Sequence, residues 1–467
     1  MRYAIQSPRY WLPDWANHAV FYHLYPLGFL DAPPQNDLEA QPVPRLAGLR
    51  DWYDHLERLG VTAIYLGPVF ESGSHGYDTV DYFAIDRRLG DMALFRQILD
   101  ELHGRGLRVI LDGVFNHTGR GFFAFQDILK NGRNSQYQSW YHINWAGNSS
   151  YGDGFAYESW EGHEALPKLN LANPDVRSYL FEVARMWLVD VGIDGWRLDV
   201  AYELPIDFLW EFRRTCKEVR PDCFLLGETI RGDYRTWVAP DLLDAGTDYQ
   251  LYESLVRSFN DGNFADLRAG LDRARHVDYG LYKELALVNF LSNHDVTRIR
   301  SRLKDERHVY PALILLLTTP GIPALYYGDE VGMRGRKEDG DPALRRPMPQ
   351  PADWPEYGAD ILRETLRLVR LRHEHHVFAD GRYASLYGQG PHFAFLRAHT
   401  REIAVVAINA DDAPVSLTLP VREQGIVDGT VLHDVLNPHL PGATVEGGQL
   451  VVDEVPPNWG RVLVASW

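Results

Sequence analysis

Three short apolar runs in this chain each end in a carboxylate: Val191 to Asp199, Cys223 to Glu228, and Leu287 to Asp295. A carboxylate at the C-terminal end of a buried strand is costly as packing but useful as chemistry. If the three strand ends converge on one face, Asp199, Glu228 and Asp295 share a pocket, and paired carboxylates there could split a glycosidic acetal. Residues two apart on a strand share a face, so Arg197 and Asp199 point one way while Trp196 and Leu198 point the other. An arginine beside an aspartate favours the ionised carboxylate, the form a nucleophile needs. Taken alone, the pair reads equally well as a buried ion pair. Glu228 follows Phe224-Leu225-Leu226-Gly227. Apolar surroundings would keep it protonated, as a general acid must be, although a lone glutamate can also be a first-turn helix charge. Asn116-His117 and His294-Asp295 add polar groups that suit sugar hydroxyls.

Positioning these groups requires a scaffold of converging strands. From residue 18 to about 375, short apolar runs alternate with amphipathic segments. The runs are Val20–Tyr25, Ala63–Leu66, Leu107–Leu111, Ile193–Leu198, Phe224–Leu226, Leu285–Leu291 and Ile322–Tyr326, with a weak eighth near Leu243–Thr247. Helices are expected at Leu46–Leu59, Met92–His103, Asp175–Val189, Phe208–Val219, Phe264–His276, Val309–Thr318 and Ile361–His373. This alternation predicts an α/β fold, a closed (β/α)8 TIM barrel over 1–115 and 175–377. Between them, 116–174 breaks the rhythm and is rich in Gly, Asn and aromatics. It is expected to be a subdomain inserted after strand 3, whose aromatics either stack on sugars or form their own core. After about residue 380 the period becomes two, with strands expected at His392–Arg397, Ile403–Ile408, Val415–Leu419, Thr430–Leu436, Leu450–Val455 and Arg461–Val464. An antiparallel β-sandwich over 378–467 follows.

A net charge of -17 argues against nucleic acid or an anionic membrane as partner, and leaves neutral sugars open. Cys216 and Cys223 are too few for a disulfide framework or a cysteine zinc site and read as packed thiols. No secretory leader or membrane span is visible, so a cytoplasmic location is expected. The block His373-Glu374-His375-His376 lacks metal-ligand spacing and reads as a helix end. Asn148-Ser149-Ser150 fits a glycosylation acceptor, which a cytoplasmic protein would not use.

Asp112-Gly-Val-Phe-Asn-His117, Gly195-Trp-Arg-Leu-Asp199, Gly227-Glu228 and Phe290-Leu-Ser-Asn-His-Asp295 resemble, in order, the four motifs of the α-amylase superfamily, glycoside hydrolase family 13. Ser74-His-Gly-Tyr-Asp-Thr79 is similar to that family's second-strand loop. The resemblance implies a retaining α-glucan hydrolase with Asp199 as nucleophile, Glu228 as acid then base, and Asp295 holding sugar hydroxyls. It further implies that Arg197 orients Asp199, that His117 and His294 bind the same sugar, that Tyr77 stacks on it, and that Asp78 supports the subsite. Leu166-Pro-Lys-Leu-Asn170 and Gly340-Asp-Pro-Ala-Leu-Arg-Arg-Pro-Met-Pro349 look like the neopullulanase, cyclomaltodextrinase and maltogenic amylase group, where Asp341 and Arg345 would bind the non-reducing-side sugar. Read from this sequence, no N-terminal β-domain is expected ahead of the barrel, a departure from that group, and Tyr202, Ile230 and Gln350 depart from its motifs. Maltooligosaccharides are the expected substrates, with cyclodextrins or pullulan as further ones. A transglycosylase, in which a sugar hydroxyl replaces water, is the alternative; a non-catalytic carbohydrate-binding relative is a third reading. No cofactor is required by this chemistry. Calcium is not evident from the sequence, Asn116 being the one weak candidate ligand, and the oligomeric state is left open.

Overall fold

A computed structural model of the chain describes residues 11–466. Eight parallel strands close into a barrel: β1 Phe21–Leu24, β2 Ala63–Leu66, β3 Arg108–Gly113, β4 Gly195–Leu198, β5 Phe224–Gly227, β6 Ala245–Thr247, β7 Ala286–Phe290 and β8 Ile322–Tyr326. Each strand pairs with its neighbours in sequence, and β8 closes on β1 with Phe21 beside Ala324. The weak eighth signal is β6, a strand of 3 residues.

The period of two sorts side chains between two layers. Phe21, Tyr65, Ile110, Phe224, Leu226, Ala286, Val288 and Ala324 fill the barrel, with Leu12, Trp15 and Ala16 packed among them. Trp15 contacts Phe21 and Phe224 at the strands' N-terminal ends, so one mouth of the barrel is plugged. On β4, Trp196 and Leu198 lie in the outer layer, Trp196 against Phe70 and Phe115. Arg197 therefore faces inward, as the alternation requires.

Six expected helices form within a few residues of their predicted bounds: Met92–Gly104, Pro174–Met186, Ile206–Val219, Ala265–Arg275, Val309–Thr318 and Glu356–Glu374. The helix expected over Leu46–Leu59 is instead a 3-10 segment, Arg45–Trp52, followed by an α-helix, Tyr53–Leu59. Gly48 lies inside the 3-10 stretch and is a poor helix former. The helix after β6 was not anticipated. Tyr249–Asp261 starts where the Asp248 carboxylate accepts the Leu251 N–H at 3.0 Å, and it buries Leu251, Tyr252, Leu255, Val256 and Phe259 along one stripe.

The segment between β3 and β4 also holds a helix, Phe123–Asn131. Phe125 on it packs against Tyr141, Phe155 and Tyr157. Most of the segment's aromatics thus make its own core. Its two ends meet at the barrel rim, where the Leu169 N–H donates to the Asn116 carbonyl at 2.9 Å and His117 bridges to Lys168.

Past the barrel, the described residues form eight antiparallel strands rather than the six expected: β9 Arg382–Gln389, β10 His392–Ala398, β11 Glu402–Asn409, β12 Val415–Pro420, β13 Val431–Asp434, β14 Ala443–Glu446, β15 Gln449–Val455 and β16 Trp459–Ser466. The two extra strands are β9 and β14. A bulge between Ser385 and Tyr387 breaks the alternation of β9, and β14 spans only 4 residues. The sheet runs β9-β10-β11-β16-β13-β14-β15-β12. One face folds over a core of Leu396, Val405, Leu417, Leu419, Val445, Val452 and Leu463. The other carries Phe393, Phe395, Val406 and Val462 into the barrel's core, where Phe393 stacks on Phe264.

Cys216 and Cys223 are buried and unpaired. The His373 ring bonds the Gly60 carbonyl at 2.8 Å and His375 pairs with Glu402, so that block ties a helix end to its surroundings. Among the described residues no helix is long and apolar enough to cross a membrane.

Gly195 occupies the tightest point of the β4–β5 pairing. A Cβ there would lie 2.1 Å from the Phe224 carbonyl oxygen, which is backbone and cannot swing aside. Gly195→Ala is expected to lower unfolding stability by about 1–3 kcal/mol or more. Urea denaturation measures it, and a wild-type midpoint would contradict the packing described.

Candidate active site

The C-terminal ends of β3, β4, β5 and β7 deliver five polar residues to the open mouth of the barrel. Asp112 ends β3, Arg197 and Asp199 come from β4, Glu228 follows β5, and Asp295 lies five residues past β7. All but Asp295 are nearly inaccessible to solvent. The Arg197 guanidinium sits at their centre. Its Nη1 donates to Asp112 Oδ1 at 2.8 Å and to Asp199 Oδ1 at 2.7 Å, and its Nη2 lies 2.9 Å from Glu228 Oε1. Asp199 and Glu228 are therefore joined through one planar group. Tyr65 and Tyr77 donate their hydroxyls to Asp112 Oδ2 at 3.1 and 3.0 Å, so Asp112 anchors the arginine from behind.

One cation among three buried carboxylates leaves an excess of negative charge, and the titration of the acids follows from it. Burial pushes the Glu228 carboxyl up, with Asp295 adding to the rise and Arg197 opposing it. Burial also pushes Asp199 well above the ordinary carboxylate range: Arg197 pulls it down, but Glu228 and Asp112 add to the rise. The expectation that Arg197 would favour the ionised Asp199 is thus corrected, because burial raises it and that one guanidinium is shared with two further carboxylates. The physical reading is a pair that retains a proton to higher pH than free carboxyls do.

Val200 fixes Glu228 from the other side. Its N–H donates to Glu228 Oε2 at 2.9 Å. Val200 itself takes φ 41°, a left-handed conformation that β-branched residues rarely adopt. Such local strain persists only where the surroundings over-determine it, and it clusters at functional sites.

Asp295 behaves oppositely to the pair. Burial would raise it, but His294 and Arg345 more than offset that and hold its carboxyl well below the usual range. His294 Nε2 is 2.9 Å from Oδ2, and Arg345 Nη2 is 2.9 Å from Oδ1. Arg345 continues to Asp341 at 3.0 Å, and Lys337 Nζ reaches the other Asp341 oxygen. The Tyr77 ring lies parallel to His294, with centroids 5.3 Å apart, and its hydroxyl also bonds His294 Nε2. Asp78 does not reach the cavity. It accepts from Ser74 Oγ at 2.8 Å and stands 3.8 Å from His75, bracing the loop that carries Tyr77.

These residues border a cavity of about 600 Å³ whose walls include Tyr77, His117, Asp199, Glu228, Asp295, Asp341 and Arg345. Arg197 and His294 lie just beneath its surface. Burial lowers the His117 pKa to about 3, so its imidazole is neutral, and its Nε2 has no partner within the protein. A neutral ring nitrogen without a partner is ready for a ligand hydroxyl. Asn116 Oδ1 is also buried without a partner, yet among the described residues no three His, Cys, Asp or Glu side chains gather as a metal site.

The sequence did not point to several walls of this cavity. Glu161 and His163 come from the inserted segment, beside Trp160, one of the aromatics expected either to stack on sugars or to form the insert's own core; His75 comes from the second-strand loop, Tyr249 from the unanticipated helix, and Lys337 from the loop after β8. Tyr202 and Ile230, noted only as departures, line it as well. The signals available for Tyr249 were the cap residue Asp248 just before it and the apolar stripe that follows. His163 sits in irregular backbone, which carries no period to read.

Comparison with known proteins agrees with this geometry. The family described as "Alpha amylase, catalytic domain" matches residues 23–364. "Neopullulanase 2" of Thermoactinomyces vulgaris is 38% identical over 453 residues, covering 91% of this chain and 74% of that protein. A "Cyclomaltodextrinase" of a Bacillus species is 35% identical over 455 residues, covering 90% of this chain and 78% of its own. Among solved structures, a debranching enzyme from Nostoc punctiforme superposes with a TM-score of 0.82 at 30% identity, covering 99% of this chain and 100% of that one. A barrel whose strand ends gather an arginine and several carboxylates, matched in sequence over most of its length, places the chain in the α-amylase family of glycoside hydrolases.

Proposed function

We propose that the chain is a retaining hydrolase of α-1,4-glucosidic bonds in maltooligosaccharides. The observation that carries this reading is the single guanidinium that bonds both Asp199 and Glu228. In a retaining enzyme the two carboxyl groups stand about 5–5.5 Å apart, close enough to serve one anomeric carbon. Asp199 Oδ1 is held by Arg197, which turns the carboxylate toward the cavity for attack on that carbon. Glu228 gives its proton to the departing oxygen, and a covalent glycosyl ester forms on Asp199 as the glycosidic bond breaks. Water then enters and Glu228 takes one of its protons as its oxygen bonds the anomeric carbon; the bond to Asp199 breaks, and the sugar leaves with its original anomeric configuration. Asp295, held ionised, accepts from sugar hydroxyls beside the bond. His117, His294 and Tyr77 shape the same subsite, with Asp78 behind it. Asp341 and Arg345 bind the sugar on the non-reducing side.

The relatives' names suggest which substrates to test. One is named a neopullulanase, one a cyclomaltodextrinase and one a debranching enzyme, so pullulan and cyclodextrins stand beside maltotriose. Ile230, partly exposed in the cavity wall, offers an aliphatic rather than an aromatic surface to the leaving group. The reading includes a cytoplasmic location, in keeping with two unpaired buried thiols, and a division into barrel (1–115 and 175–377), insert (116–174) and C-terminal unit (378–467).

Asp199→Ala should fold normally and lose nearly all turnover; wild-type rates would defeat the assignment. Glu228→Gln should lose about 10²–10⁴-fold in kcat, the usual worth of general acid–base catalysis. The rate should fall on the alkaline side as the pair loses its last proton and on the acid side as it gains a second. Because burial and mutual repulsion make the pair hold its last proton, the alkaline limb should lie above the ordinary carboxylate pKa values of about 4. A profile flat from weakly acid to strongly alkaline pH would contradict this. Proton NMR of maltotriose cleavage should show the α-anomer first, whereas a β-anomer first would exclude retention.

A further inference from the structure

A second cavity, of about 580 Å³, lies on the far side of the loop after β8. Its walls carry six cations, Arg300, Arg302, Lys304, Arg334, Arg336 and Arg346, against two carboxylates, Glu306 and Asp339. In a chain of net charge -17 this is a local reversal of sign. Glu306 is shared by Arg300 at 2.8 Å and Arg334 at 2.5 Å. Lys304 Nζ donates to the Asn260 carbonyl, and Arg346 to the carbonyl of Arg334. Those carbonyls orient the two cations without neutralising them. Like charges converging on one hollow repel unless an anion enters, and guanidinium forks match the oxygens of a phosphate.

We propose that this cavity binds a phosphate dianion, free or as the phosphomonoester of a small sugar, and that its occupancy is felt at the reactive cavity. The hollow falls in the size range of small-molecule sites and exceeds what one phosphate fills. Its lining residues are charged or polar apart from Leu303, Gly335 and Ala343, and the stems of the long cations leave room for the body of a small sugar beside the phosphate.

The coupling has a physical route. Arg334, Arg336, Asp339 and Arg346 face the basic cavity, while Lys337, Asp341 and Arg345 on the same loop face the reactive one. The loop is pinned from below, where the Gly335 N–H donates to Ser301 Oγ at 3.1 Å and the Arg298 N–H donates to the Gly335 carbonyl at 3.0 Å. An anion that draws Arg336 and Arg346 together would therefore shift the Lys337–Asp341–Arg345 chain that ends on Asp295. This coupling, unlike the binding, rests on the hydrolytic reading.

The test is isothermal titration of the full chain with inorganic phosphate, glucose 6-phosphate and glucose, with ionic strength matched by sodium chloride. Saturable phosphate binding is expected. Arg336→Gln and Arg346→Gln, made separately so that one misfolded variant does not decide the result, should each weaken it about tenfold. Glucose 6-phosphate binding more tightly than both phosphate and glucose would identify a sugar ester as the ligand; equal affinity with phosphate would identify the free ion. In wild type, but not in Arg336→Gln, phosphate should move the KM for maltotriose about fivefold or more. Phosphate heats no larger than those of chloride, or unchanged in both variants, would overturn the site. Binding with an unmoved KM would overturn the coupling alone. A chain that cleaves no α-glucan would defeat the hydrolytic reading while the titration still reports on the anion.

Discussion

The reactive end of this barrel depends on one guanidinium. Arg197 is buried and touches three carboxylates from three neighbouring strands. Each would be unstable in that position alone, since stripping a buried charge of its partner costs about 3–5 kcal/mol. Asp112 and the tyrosines behind it hold the arginine, and the arginine holds Asp199 and Glu228. Stability and reactivity are thus set by the same contacts. Sharing one positive charge among three acids keeps the arrangement bound together, and it leaves enough excess negative charge for the pair to retain a proton.

The rest of the fold serves this contact in layers. Strand closure brings β3, β4 and β5 side by side, so three inward-facing residues from distant parts of the chain become neighbours. Val200, whose backbone is strained, donates its N–H to Glu228. A second network, from Asp295 through Arg345 and Asp341 to Lys337, stands across the cavity and keeps Asp295 ionised. Environments that push neighbouring acids apart in pKa are how one pocket provides both a proton donor and fixed negative charge. The inserted segment adds Trp160 and His163 over the mouth while burying most of its other aromatics in its own core.

Much of this was legible in the sequence because it rests on short periods. Arg197 and Asp199 share a face by the geometry of any strand, and an apolar run ending in Gly227-Glu228 marks a buried strand end. What was not legible depended on distant partners. The chain around Asp199 shows Arg197 beside it but not Asp112 and Glu228 converging on the same guanidinium, so the direction of its titration was misjudged. The Tyr249–Asp261 helix had a cap and an apolar stripe, but it follows a strand too short to announce a repeat unit. In the C-terminal unit, the bulge in β9 shifted the alternation by which strands are recognised. His163 lies in backbone without period, and only the folded rim decides that Trp160 faces the cavity while the insert's other aromatics pack on one another.

The central claim is that Asp199 makes a covalent bond to sugar while Glu228 handles the proton. The most direct test is to incubate the enzyme with a fluorinated α-glucosyl fluoride that slows breakdown of the glycosyl ester, then to map the labelled peptide by mass spectrometry. The account predicts one added sugar per chain, attached at Asp199. A label on another residue, or turnover of the reagent with no covalent adduct under conditions that trap other retaining enzymes, would contradict it.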